Sequence, residues 1–176
     1  MAQQNFEPQP DNNQIYQDPI LKKYVELIQS KTKIFKTIYY GDPIRIPSSS
    51  LPALIITKLD TRARKETSAE DMHEINISFT VVADIRDTIS DDKEMVAGTN
   101  SLYNIMEGRE EDLTLKTHSL LHILRNNILI DETNDLRTNL STPTTVDYGM
   151  TVGKRGADSY GIEAVVNVIA NFIQVR

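Results

Sequence analysis

The chain has 176 residues, no Cys and a formal net charge of −6 at pH 7. Such a length suits one domain that buries roughly two-thirds of its unfolded surface, so neither a disulfide nor a metal is needed for folding. The missing Cys excludes disulfide frameworks, thiol catalysis and Cys-based zinc sites and fits a reducing compartment, while the acidic balance argues against a free-standing nucleic-acid binder, which is ordinarily basic.

Residues 1–17 are rich in Gln, Asn and Pro, with scattered Phe6, Ile15 and Tyr16. This flexible N-terminal extension cannot bury enough to fix itself. It reads either as a tail without regular structure or as an arm that orders against a neighbouring subunit. Its first residues show no basic start or apolar segment of a secretory signal, and no apolar run in the chain approaches the ~20 residues of a membrane span. A single domain is expected over residues 18–176.

Asp18-Pro19 predicts a helix start, since Asp caps and Pro is tolerated at the first helical position. Ile20, Leu21, Tyr24, Leu27 and Ile28 then share one face, and the helix should end near Ser30 or Lys31. The β-branched and aromatic residues 34–40 predict a first strand. Gly41-Asp42-Pro43 turns the chain, and Pro47 with Ser48–Ser50 makes a second break.

Leu51 to Leu59 predicts a second strand, buried on both faces in its middle. The stretch Asp60 to Glu74 holds Arg62, Arg64, Lys65, Glu66, Glu70 and Asp71. Too polar for a core and set between two strands, it predicts a hairpin with a projecting tip. Ile75, Ile77, Phe79, Val81, Ala83 and Ile85 alternate with Asn76, Ser78 and Thr80, so one face of the next strand is apolar. A slip of one residue would flip that whole set, which makes this the best-specified strand of the chain.

Residues 90–107 predict a helix with Ser90 as its cap, broken at Gly108. A second helix is expected from about Glu111 to Asn127 on Leu113, Thr117, Leu120, Leu121, Leu124 and Ile128. Residues 131–141 read as a polar connection. Thr144 to Val152 and Tyr160 to Gln174 predict two closing strands joined by the turn 153–159. In the last strand Ile162, Ala164, Val166, Val168, Ala170 and Phe172 line one face, and Val165 and Ile169 interrupt a polar second face. The order predicts an α+β fold: a mixed or antiparallel sheet, helices packed on one face, and a projecting β-hairpin arm.

Catalytic patterns are weak. His118 and His122 stand four apart on a predicted helix, the spacing that lets two rings share a metal. However, Ser119 replaces the Glu of the metalloprotease pattern, and no third ligand is evident. Gly149–Arg155 has glycines one residue too close for a phosphate loop, and Arg155 stands where Ser or Thr must hold magnesium. Asp42, Asp84, Asp87, Asp91 and Asp92 have no spacing that makes them converge. For Asp91, Asp92 and Glu94, the first turn of a helix is reason enough for negative charge. No Gly-x-Ser-x-Gly elbow is present. The sequence therefore predicts a non-enzyme with no cofactor and no metal, and Arg62, Arg64, Lys65, Lys154 and Arg155 as small basic spots on hairpin ends.

The layout of residues 18–174 resembles the tail terminator (tail completion) proteins of long-tailed bacteriophages. The resemblance is carried by Tyr40-Gly41-Asp42-Pro43, Ile46-Pro47, Leu51-Pro52-Ala53-Leu54-Ile55-Ile56, the charged arm, Ile75 to Val82, two helices, and a strand pair around Tyr148-Gly149 and Ala164 to Ala170. It implies a structural virion protein assembled in the host cytoplasm. Such a protein forms a hexameric ring on the last layer of the tail tube, ends its polymerisation and joins the tail to the head connector. DNA passes through the lumen without specific binding, and no membrane is involved. By position, the resemblance makes Tyr40, Asp42, Arg62, Arg64, Lys65, Glu66, Lys154 and Arg155 the candidate subunit and partner contacts. The N-terminal extension departs from the short members. Alternatives are another neck component, such as a head-completion or tail-tube protein, and a metal-dependent hydrolase using His118 and His122.

Overall fold

The structure, a computed structural model, describes residues 18–65, 70–84, 94–108, 113–126, 137–138, 145–154 and 160–175. In chain order these form α1 (Pro19–Lys31), β1 (Thr37–Tyr40), a 3-10 turn at Ser48–Ser50, β2 (Ala53–Lys65), β3 (Glu70–Asp84), α2 (Glu94–Met106), α3 (Leu113–His118), α4 (Leu120–Asn126), β4 (Arg137–Thr138), β5 (Val146–Lys154) and β6 (Tyr160–Val175). The strands make one six-stranded sheet in the order β1-β2-β3-β6, with β4 and β5 both pairing the outer side of β6. β1 runs parallel to β2 and the remaining pairs are antiparallel, so the expected α+β class with a mixed sheet is what forms.

Strand parity builds the core. Leu54 and Ile56 of β2, Ile75 to Ala83 at odd positions of β3, and Ile162 to Ala170 at even positions of β6 are buried on one face. Against that face pack Ile20, Leu21, Tyr24, Val25 and Ile28 of α1, Leu102, Ile105 and Met106 of α2, and Leu120, Ile123 and Leu124 of α4. The Tyr24 ring meets Phe79 edge-on, with centroids 5.2 Å apart. Asp18 caps α1 by accepting the Ile20 N–H at 3.0 Å, and the last turn carries Lys31.

The opposite face carries no helix among the described residues. At one end a small second cluster covers it: Ile46 and Leu51, from the connection between β1 and β2, pack on Ala53, Ile55 and Val82. This is why β2 is buried on both faces at Ala53–Ile56 and nowhere further along. Gly41 starts that connection with a φ of +77°, a left-handed conformation that favours glycine. Gly108 closes α2 in the same way at +75°, giving its N–H to Asn104 O.

Several elements depart from expectation. The first strand begins at Thr37, not at residue 34, and Ile34 and Phe35 pack against the core ahead of it. The second strand continues past Leu59 to Lys65. The expected helix over 111–127 is two helices, because Ser119 ends one and starts the other. Its hydroxyl donates to Lys116 O at 2.8 Å and accepts the His122 N–H at 3.4 Å. The polar connection over 131–141 contains β4. Residues 1–17, Ile85, Ser90 and Ile128 lie outside the described residues.

Candidate functional site

The charged arm is regular strand on both sides of its tip. Arg62 stands opposite Glu74, Arg64 opposite Met72, and Lys65 opposite Asp71. Opposite charges at facing positions contribute roughly 0.2–1 kcal/mol per pair, which helps so polar a hairpin hold strand geometry. The arm is also backed. β3 pairs with β6 from Glu70↔Val175 to Asp84↔Gly161, and β6 pairs with β4 at Asn171↔Arg137, so the sheet is four strands wide at Arg62. Every residue from Leu59 to Lys65 is exposed. Arg62 and Arg64 share the helix-free face, where the Arg64 guanidinium rests 3.9 Å from Met72 Sδ. Lys65 has the opposite parity and lies on the helix-side face.

Tyr40 and Asp42 sit elsewhere. Tyr40 pairs with Ile56 on the helix side, and the next N–H, that of Gly41, bonds Ile56 O at 2.9 Å. Tyr40 lines a groove of about 270 Å³ with Lys22, Val25, Glu26, Gln29 and Ile38, between α1 and the β1 edge. Burial, and secondarily the negative charge of Glu26, push its phenol pKa above the ordinary value, so the hydroxyl stays a neutral donor. Asp42 is exposed just beyond it. At strand rise, Tyr40 and Arg62 are roughly 20 Å apart along β2.

Lys154 occupies a third place. Its backbone pairs with Tyr160 at the start of β6, whereas the arm tip lies beside the end of β6, roughly 50 Å away at strand rise. Glu66 and Arg155 fall outside the described residues. The six described candidate residues thus do not form one site. They mark an arm, an edge groove and a distant hairpin.

The histidines do not gather a metal set among the described residues. His118 ends α3 and is exposed, while His122 lies in α4 after the Ser119 break. No group of three or more His, Asp or Glu side chains placed to hold a metal occurs among the described residues. Gly149 to Lys154 belongs to strand β5, which runs two residues past the expected end at Val152 into the expected turn. Asp87, Asp91 and Asp92 lie outside the described residues.

Compared with protein-family models the chain matches none, and no curated protein matches it. The chemistry of its own surfaces is therefore what a functional reading has to work with. On them stand features that periodicity alone did not mark. Lys58 Nζ lies 3.0 Å from Asp18 Oδ2, joining β2 to the cap of α1. On the helix-free face, Asn76 and Asn171 each bury a side-chain oxygen with no hydrogen-bond partner among the described residues. Their parity was legible, but their burial depends on the β3–β6 register.

Proposed function

We propose that this protein is a structural part of a phage tail, a ring-forming terminator at the head-proximal end of the tail tube. The observation that carries the reading is the arm: an exposed, basic β2 edge strand backed by β3, β6 and β4. A heterologous ring needs two different patches on each subunit. The arm supplies one, and the Tyr40 groove at the β1 edge, with Lys22 and Glu26 on its rim, supplies another. The layout resemblance over residues 18–174 makes the ring hexameric and its partners the tail tube and the head connector. A net charge of −6 suits a lumen that repels DNA phosphate and lets it slide. On this reading the protein makes no covalent bonds, holds no cofactor and works in the virion after assembly in the host cytoplasm.

Mass photometry and negative-stain microscopy of the purified full chain test this directly. Six-fold rings, alone or on addition of tail tube, are expected. A strict monomer under both conditions overturns the reading. In a phage lacking the protein, tails should be overlong or headless.

A further inference from the structure

β2 has two halves with different neighbours. Ala53–Ile56 lies between β1 and β3. From Thr57 to Lys65 no described strand covers its outer side. That length carries Lys58, Arg62, Arg64 and Lys65 against one acid, Asp60. The pairing register skips Leu59, which is 53% exposed, an apolar side chain on an open edge. Such an edge is a template for another strand.

The described chain begins beside that edge. Asp18 reaches Lys58 at 3.0 Å, just past Tyr40↔Ile56, where β1 stops covering β2. The seventeen residues before Asp18 contain Glu7 and Asp11 and no Lys or Arg. Asp11–Gln17 has neither Pro nor Gly and holds the apolar pair Ile15 and Tyr16. Seven extended residues span about 23 Å, the length of β2 from Lys58 to Lys65. Traced backwards from Asp18, the segment runs antiparallel to β2. With Asp18 set at Lys58, Gln17 then comes beside Leu59, Ile15 beside Thr61 as a diagonal neighbour of Leu59, and Asp11 beside Lys65.

We propose that residues 11–17 add an antiparallel strand, in the same chain, to the outer edge of β2 between Lys58 and Lys65. Its acid and apolar groups complement the basic residues and the exposed Leu59 of that edge. Its backbone occupies donors and acceptors that would otherwise recruit foreign strands. The proposal does not depend on the ring.

Because the chain has no Cys, introduced pairs report the contact without background. Ile15→Cys with Thr61→Cys, and Asp11→Cys with Lys65→Cys, should each give a cross-link of monomer mass on mild oxidation. Asp11→Cys with Leu59→Cys, off register, should give roughly ten-fold less, since only paired positions come within disulfide range. In the full-length chain, outward-facing amides of β2 from Lys58 to Arg64 should exchange roughly ten-fold more slowly than in the full-length double variant Gln14→Pro, Tyr16→Pro, which cannot complete the ladder. Cross-links of dimer mass that rise with protein concentration would assign the edge to a second copy and overturn the proposal. So would the absence of any cross-link together with unchanged exchange.

Discussion

The Tyr148 hydroxyl donates a 2.5 Å hydrogen bond to Glu107 Oε1, tying strand β5 to the residue that follows α2. The same ring meets Tyr103 of α2 edge-on, with centroids 4.6 Å apart. One side chain thus secures the sheet's β5 margin to the helical layer twice, by a polar and by an aromatic contact. Tyr148→Phe keeps the ring contact and loses the bond. Glu107 is exposed and regains water, so the expected cost is about 0.5–1.5 kcal/mol in urea unfolding. Tyr148→Ala loses both contacts and should cost clearly more.

The same contact sets a pH dependence. Burial first, then the bond to Glu107 and its negative charge, raise the Tyr148 pKa far above its ordinary 10.0. Folding therefore retains a proton that the unfolded chain gives up above that value. The stability this group contributes is fully present below pH 10 and falls as the pH climbs toward the folded pKa. Stability measured between about pH 10 and 12 should decline less steeply in Tyr148→Phe than in the wild type.

Asp18 does two separable things. It caps α1 through Oδ1 and pairs with Lys58 through Oδ2. Asp18→Ala removes both and should cost about 1–2 kcal/mol, chiefly from the lost cap. Asp18→Asn keeps a cap and weakens the pair, which retains some solvent access, so about 0–1 kcal/mol is expected. Both differences from the wild type should shrink in high salt, whereas the difference between Asn and Ala should not. Equal losses for Ala and Asn would refute the capping role.

Much of the fold was legible because strand parity is a strict code. The apolar sets Ile75 to Ala83 and Ile162 to Ala170 recur at every second residue, and both are buried against the helices. Phe79 sits fully buried at the centre of that pattern, so Phe79→Ala should cost about 3–5 kcal/mol. The arm's secondary structure was less legible. Charged residues score poorly as strand, and it is the facing pairs Arg62↔Glu74 and Lys65↔Asp71, together with the β6 backing, that make strand the better solution. The break between α3 and α4 was hidden for a similar reason. Apolar spacing runs straight through Ser119, and only its hydroxyl's local bonds show that the helix restarts there. The scatter of the candidate residues was invisible as well. Nothing in spacing says that Lys154 and Lys65 lie at opposite ends of β6.

If the arm is a ring contact, its charge and not its fold should govern assembly. Arg62 and Arg64 are exposed and point from the helix-free face, so Arg62→Glu with Arg64→Glu removes no buried group. Arg62→Glu does place like charge opposite Glu74, which costs roughly 0.2–1 kcal/mol and leaves the domain folded. The circular dichroism spectrum should therefore be unchanged and the melting temperature lowered by only a few degrees. The ring population in mass photometry should collapse, because two attractive charges per interface become repulsive. Wild-type rings should also weaken between about 0.05 and 0.5 M salt, as the Debye length falls from above 10 Å to below 5 Å. A double variant that melts normally and still closes into rings of the same size would show that the arm is not a subunit contact. The Tyr40 groove would then stand as the one remaining patch of the pair, and Tyr40→Ala offers the matching experiment.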